Sequence, residues 1–295
     1  VSNPVLVQEQ HVPGAGLEEK WEVARAWGFD GLELRARGGF AFAARLPELR
    51  RAAAAGVPMP TACVEMSHFI GAFDPELRRD AREQLRSQLS VVAEVGGTGA
   101  MTPASYGMFS RRLPPFEPPR SPQEDREVLL EALTDLGEHA RREGVLLLLE
   151  PLNRYEDHMV NRLADAVSLV REAGSDGVRV AADTYHMNIE EADPAAALRE
   201  AGPYVGHVQV SDSNRLEPGA GHVDWPRLCA AVRAIGYTGA LAVESRLSGP
   251  AVAIAQRPQP LTEPSVSPPR QKRCRTTMRT TSGTTETSTP AVVSS

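Results

Sequence analysis

The chain has 295 residues, a net charge of −6, 41% apolar residues and only 5% aromatic ones. None of its apolar runs approaches the ~18–20 residues of a membrane span, so no membrane partner is expected. Residues 251–295 carry six basic and two acidic side chains, a net of +4, which leaves −10 on residues 1–250. A body that acidic argues against nucleic acid as a partner.

The N-terminal stretch VSNPVLVQEQHVPG has no basic region followed by an apolar one, so no signal peptide is expected. Cys63, Cys229 and Cys274 are odd in number and are not spaced as zinc ligands. They fit a reduced, cytoplasmic protein.

Eight short apolar runs follow one another: VLVQEQ, GLELR, TACVEM, TGAMTPA, VLLLLEPL, VRVAADTYH, VGHVQVSDS and ALAVES. Most are continuous and do not alternate, as expected of parallel strands covered on both faces. Between them, helical periodicity predicts helices at Leu17–Trp27, Leu46–Ala55, Pro75–Val95, Pro122–Glu143, Leu163–Ala173, Pro194–Ala201 and Trp225–Ile235. Several of these end at a glycine, as in AWGFDG, AAAAGVP, REAGSDG and RAIGYTG. The alternation predicts an α/β fold, a (β/α)8 TIM barrel over residues 1–250. A doubly wound open sheet is the competing architecture, but HVPGAG after the first run lacks the GxGxxG spacing of a phosphate loop.

Where an eighth helix belongs, residues 251–295 turn rich in Pro, Ser and Thr. The expectation is a disordered, low-complexity tail and an incomplete or replaced eighth helix. A natural flexible tail and an altered reading frame both account for it. The uncovered apolar surface would favour a homo-oligomer or a less stable barrel.

The ends of the late runs carry polar residues at the position where a parallel barrel builds its site. LLLLE ends in Glu150, VAAD in Asp183 and LAVE in Glu244, while HVQVSDSNR offers His207, Gln209, Asp212 and Arg215. A carboxylate behind four apolar residues costs several kcal/mol unless it is paired or metal-bound. Each taken singly is more often a salt-bridge partner or a helix cap. Three converging on one mouth repel one another, and a divalent cation offsets that repulsion. Asp183 is thus placed to hold a metal, with His186 one turn further out to touch what the metal holds. Period two puts His207 and Gln209 on one face, so either is a candidate ligand. His11, His68, His158 and His222 read as ordinary residues, with His68 near enough to line the mouth. Cys63 reads as core, and Asp212–Ser213 as a turn.

The motifs EPLNRYEDHMVN, DTYHMNIEE, GHVQVSDSNRLEPGAGHVDW and VES, in that order on runs five to eight, resemble the xylose-isomerase-like sugar epimerase and isomerase superfamily. Within it they are most similar to ketose 3-epimerases of the D-tagatose 3-epimerase type, over about residues 5–246. The resemblance implies a TIM barrel holding one divalent ion. It implies Glu150, Asp183 and Glu244 as metal ligands, Glu150 and Glu244 as the acid/base pair, and Glu156, His186 and Arg215 as substrate contacts. Ketose epimerases carry a histidine ligand where Gln209 stands. Glutamine there is similar to the hydroxypyruvate isomerase branch and implies Gln209 as the fourth ligand. Four oxygen donors suit Mn²⁺ or Mg²⁺, with Co²⁺ as a further option.

The implied activity is isomerisation or epimerisation of a small ketose or hydroxy-ketone by proton transfer through a cis-enediolate. The alternatives are a non-catalytic or damaged barrel that binds sugar, and an endonuclease IV-type DNA repair enzyme. The latter needs further histidines and an Asp-x-His pair after the seventh run, where LEPGAGHVDW stands instead.

Overall fold

The computed structural model describes residues 3–107 and 118–249. Eight parallel strands close into a barrel in sequence order: β1 (Val5–Gln8), β2 (Gly31–Arg37), β3 (Thr61–Glu65), β4 (Gly99–Pro103), β5 (Leu146–Glu150), β6 (Val178–Asp183), β7 (Val205–Val210) and β8 (Leu241–Val243). The ring closes where β8 pairs with β1, Val5 opposite Leu241 and Val7 opposite Val243. All eight predicted strands are present.

Helices fill the connections: α1 (Leu17–Ala26), α2 (Ala41–Ala44), α3 (Leu46–Ala54), α4 (Pro75–Glu94), α5 (Pro122–Glu143), α6 (Leu163–Ala173), α7 (Thr184–Glu190), α8 (Pro194–Ala201) and α9 (Trp225–Ala234). Local chemistry sets their starts. Asp74, Ser121 and Asp193 each precede a proline and accept a backbone N–H from the first turn, so the cap satisfies a donor the helix cannot. Ser121 and Glu124 form a reciprocal capping box. α5 and α6 stop at Gly144 and Gly174, both in the left-handed region at φ 74° and 65°.

Strand pleating sorts the residues. On β5, Leu147 and Leu149 join the layer between sheet and helices, whereas Leu148 packs with Met101 and Ala181 inside the barrel. Glu150 stands two residues beyond Leu148 and shares its inward face. The same period carries Ala181 to Asp183 on β6 and His207 to Gln209 on β7. Asp183 and Gln209 lie opposite each other in register.

Two features differ from the sequence reading. The sixth strand ends at Asp183, as VAAD marked, but the helix α7 that begins at once at Thr184 was not among the expected elements. Asp183 causes the break: its Oδ1 accepts the backbone N–H groups of Tyr185 and His186 at 2.7 and 3.1 Å, which caps a helix in place of a further strand residue. The short α2 after β2 was not anticipated either. The expected tail and missing eighth helix lie outside the described residues. Among the described residues, no helix is long and apolar enough to cross a membrane.

Candidate active site

At the C-terminal end of the barrel, a cavity of about 650 Å³ is lined by Glu150, Glu156, Tyr185, His186, Arg215 and Glu244, among others. Five of the predicted site residues, from four different connections, therefore line one cavity, while Asp183 and Gln209 are not part of its lining.

Asp183 is buried, and both its oxygens are engaged. Oδ1 caps α7, and Oδ2 accepts from Arg215 Nη1 at 2.7 Å. Burial pushes its carboxyl up, but the Arg215 guanidinium and the imidazole of His186 bring it below the ordinary aspartate value. Asp183 is therefore ionised across the physiological range.

Arg215 spans two carboxylates, with Nη2 3.2 Å from Glu244 Oε1, and its guanidinium lies over the Tyr185 ring at 4.9 Å. Its backbone sits at φ 59°, which a non-glycine residue adopts at a cost of about 1–2 kcal/mol. Two hydrogen bonds hold it there: its N–H donates to Asp212 O at 2.9 Å, and its carbonyl accepts from Arg246 N at 2.7 Å. Asp212 organises the same loop. It accepts from the backbones of Ser213, Gly219 and Val223 and from Trp225 Nε1. The sequence suggested only a turn at Asp212–Ser213. The turn is there, and its carboxylate is the hub that shapes the Arg215 loop.

Glu150 and Glu244 are the unstable charges. Burial, then the charges of Glu244 and Asp183, push Glu150 well above the usual glutamate range. Burial, then Asp183 and Glu33, raise Glu244 to about 7, although Arg215 pulls the other way. Oε2 of Glu244 and Oε1 of Gln209 are buried without a hydrogen-bond partner among the described residues. Such orphan oxygens cost roughly 1–3 kcal/mol each unless something else binds them. Cys63 also faces the cavity, but burial holds its thiol well above its usual value and hence protonated, which fits its reading as unreactive.

Ligand atoms of Glu150, Asp183 and His186 all lie within 4.8 Å of one another, a cluster that could hold a metal ion. The imidazole's hydrogen bonds bear on its part in it. His186 Nδ1 accepts the backbone N–H of Asn153 at 3.0 Å. The neutral ring then carries its proton on Nε2, which faces Glu150 Oε1 at 3.6 Å. Burial lowers the His186 pKa, so the neutral form dominates. Nε2 is thereby a hydrogen-bond donor into the cavity, without a free lone pair for a cation.

His207 and Gln209 do share a face, as period two requires. Both donate to the fully buried carboxylate of Glu33 on β2, from His207 Nε2 at 2.8 Å and Gln209 Nε2 at 3.0 Å. Glu156 follows β5 in a turn, its N–H donating to Asn153 O at 2.9 Å. His68 instead bonds Asp80 at 2.6 Å and does not line the cavity, while His11 does. Glu33, Asn153 and Tyr185 escaped the sequence reading. Glu33 gave the same signal as the others, a carboxylate inside the apolar run GLELR. Asn153 meets His186 Nδ1 with both its backbone N–H and its side-chain Nδ2, a contact between positions 33 residues apart that no local pattern reveals.

The chain matches the xylose isomerase-like TIM barrel family over residues 21–263. It belongs to that family. It is 40% identical over 230 residues to the 3-dehydro-D-guloside 4-epimerase of Escherichia coli strain K12, spanning 78% of this chain and 87% of that protein. It is 41% identical to the D-psicose 3-epimerase of Agrobacterium fabrum, over 115 residues that make up 39% of this chain and 40% of the relative. Among solved structures, the 3-keto-D-glucoside 4-epimerase of E. coli in its apo form superposes with a TM-score of 0.80 at 37% identity, covering 86% of this chain and 97% of that one. These family members are epimerases, so the chain falls in the isomerase class of enzymes.

Proposed function

We propose that the chain is a divalent-metal-dependent epimerase that inverts the carbon next to a sugar ketone, with a 3-keto-glycoside inverted at C4 as its substrate class. The observation that carries this is the pair Glu150 and Glu244. Two carboxylates three strands apart in the barrel face one cavity, where neither holds its negative charge easily unless a cation is bound beside it. A pair of that kind suits proton removal on one side of a substrate and proton return on the other. The relatives share this chemistry, since a 3-epimerase of a 2-ketose and a 4-epimerase of a 3-keto-glycoside both invert the carbon α to a carbonyl. The keto-glycoside is favoured because likeness to the 4-epimerase runs through 87% of that protein, against 40% for the D-psicose enzyme.

The residues fit a divalent ion. Glu150, Asp183, Glu244 and the amide oxygen of Gln209 would hold it, and the orphan oxygens of Gln209 and Glu244 are the donors such an ion would satisfy. An all-oxygen set suits Mn²⁺ or Mg²⁺. When bound, the cation polarises the ketone and acidifies the neighbouring C–H. Glu150 removes that proton, and Glu244 returns one to the opposite face. His186 Nε2–H and the Arg215 guanidinium bind and orient the oxygens of the substrate, and Glu156 accepts from a hydroxyl. The Tyr185 ring backs the guanidinium, whose central carbon lies 4.9 Å from the ring centroid.

A second reading, 3-epimerisation of a free 2-ketose, is favoured by the 41% identity to D-psicose 3-epimerase. The test is incubation of Mn²⁺-loaded protein with a methyl 3-keto-glucoside and, separately, with D-psicose, followed by NMR. A C4 epimer of the keto-glucoside is expected. Turnover of D-psicose alone would select the second reading, and turnover of neither would overturn both.

A further inference from the structure

Beneath the cavity floor lies a carboxylate that the proposed chemistry does not use. Glu33 on β2 has no solvent exposure, and all its partners are at least nine-tenths buried. Its Oε1 accepts from Thr61 Oγ1 at 3.0 Å and His207 Nε2 at 2.8 Å. Its Oε2 accepts from Gln8 Nε2 and Gln209 Nε2, both at 3.0 Å. Four donors fill the roughly four acceptor directions of an ionised carboxylate. Strand register explains the gathering: Gln8 and Thr61 are the neighbours of Glu33 on β1 and β3, and the β7 pair reaches across the barrel.

This arrangement fixes a choice an amide otherwise leaves open. A glutamine side chain can present either its oxygen or its NH₂ to a site, and the two ends are nearly the same shape. An ionised carboxylate accepts only. Gln209 must therefore turn Nε2 toward Glu33, and its Oε1 is left at the level of Asp183 with no hydrogen-bond partner among the described residues. Were Glu33 a neutral residue able to donate, the amide could reverse and offer two N–H groups to a cation.

We propose that Glu33 is a positioning residue: by holding the Gln209 amide it makes Gln209 an oxygen donor for the divalent ion. This rests on the metal reading given above. Partners that orient a metal ligand typically contribute 10- to 100-fold in affinity. Thr61 bonds the same carboxylate without touching Gln209, so it serves as the control for a merely structural role.

The test measures Mn²⁺ affinity of the metal-stripped protein by the EPR signal of free Mn²⁺, with thermal unfolding recorded beside it. Glu33→Gln is expected to weaken Mn²⁺ binding about 10- to 100-fold. Thr61→Val is expected to lower the unfolding temperature while leaving Mn²⁺ affinity within about twofold, since it does not release the amide. The reciprocal exchange Glu33→Gln with Gln209→Glu keeps one carboxylate and one amide in contact, and it is expected to recover most of the lost affinity. It also carries the test should Glu33→Gln alone not fold, because its failure to bind Mn²⁺ when folded would overturn the proposal. Equal Mn²⁺ affinity in wild type and Glu33→Gln would overturn it too, and so would parallel losses in Glu33→Gln and Thr61→Val. Absence of Mn²⁺ binding by the wild-type protein would instead overturn the metal reading itself.

Discussion

Asn153 donates its backbone N–H to Nδ1 of His186 at 3.0 Å, and that single bond decides which nitrogen of the imidazole carries the proton. The neighbouring Asn153 Nδ2 lies 2.9 Å from the same atom. With Nδ1 accepting, Nε2–H points at the cavity as a donor. His186 belongs to the Glu150–Asp183–His186 cluster by distance but differs from the carboxylates in chemistry.

His186→Ala is therefore expected to leave divalent-ion binding intact and to lower kcat/KM about 5- to 30-fold, the loss of about 1–2 kcal/mol of hydrogen bonding to substrate. Metal content by elemental analysis, set beside steady-state kinetics, checks this. Loss of the ion from His186→Ala would make the imidazole a ligand.

Glu150→Gln removes both a proposed ligand and the proposed base. The amide keeps the shape of the side chain but cannot take a proton. Turnover is expected to fall at least ~10²- to 10⁴-fold, with weaker binding of the cation. Near wild-type turnover would remove Glu150 from the mechanism.

Gln209→His substitutes a nitrogen donor for an oxygen and is expected to shift preference toward Co²⁺ or Zn²⁺ while keeping a bound ion. His207→Ala is expected to keep the Mn²⁺ affinity of the parent and to lose stability, by roughly 1–3 kcal/mol, because Glu33 loses one of its four donors. Competition titrations with the two ions distinguish the residues. Metal loss in His207→Ala with retention in Gln209→Ala would name His207 as the ligand.

Asp212 predicts a pH dependence of stability. Burial raises its pKa, but Trp225 Nε1 and the backbones of Val223, Ser213 and Gly219 outweigh that and bring it to about 2. An unfolded aspartate titrates near ~3.9. A carboxylate depressed on folding contributes stability that is fully present above the unfolded value and is lost as pH falls through about 2. Asp212→Asn should therefore lower the unfolding temperature at neutral pH, by an amount corresponding to roughly 1–3 kcal/mol. The difference from wild type should shrink as pH falls from 4 toward 2. Denaturant titrations across that range give the answer, and a difference constant with pH would mean the charge contributes nothing.

Much of the architecture was legible because a parallel barrel writes itself as continuous apolar strands between amphipathic helices. Leu146–Glu150 and Leu163–Ala173 came out at the ends the pattern marked. The carboxylates Glu150, Asp183 and Glu244 were legible because each ends an apolar run, where an unpaired charge is costly. The start of α7 was not, since Asp183 serves as strand end and helix cap at once, and its apolar approach hides the change of period. Glu33 was not legible because it sits early in its strand, away from the C-terminal end where a parallel barrel builds its site. What it does depends on His207 and Gln209, 174 and 176 residues away in sequence. Contacts across a barrel of that separation leave no local trace.

The proposed reaction is proton transfer at the carbon next to a sugar ketone, carried out by Glu150 and Glu244 with a divalent ion. The most direct measurement is turnover of a 3-keto-glucoside in D₂O with and without Mn²⁺, followed by NMR and mass spectrometry. Epimerised product carrying one deuterium at the inverted carbon, formed only with the ion and not by Glu150→Gln, is the predicted result. Epimerisation that proceeds without solvent deuterium at that carbon, or equally well after the ion is stripped, would contradict it.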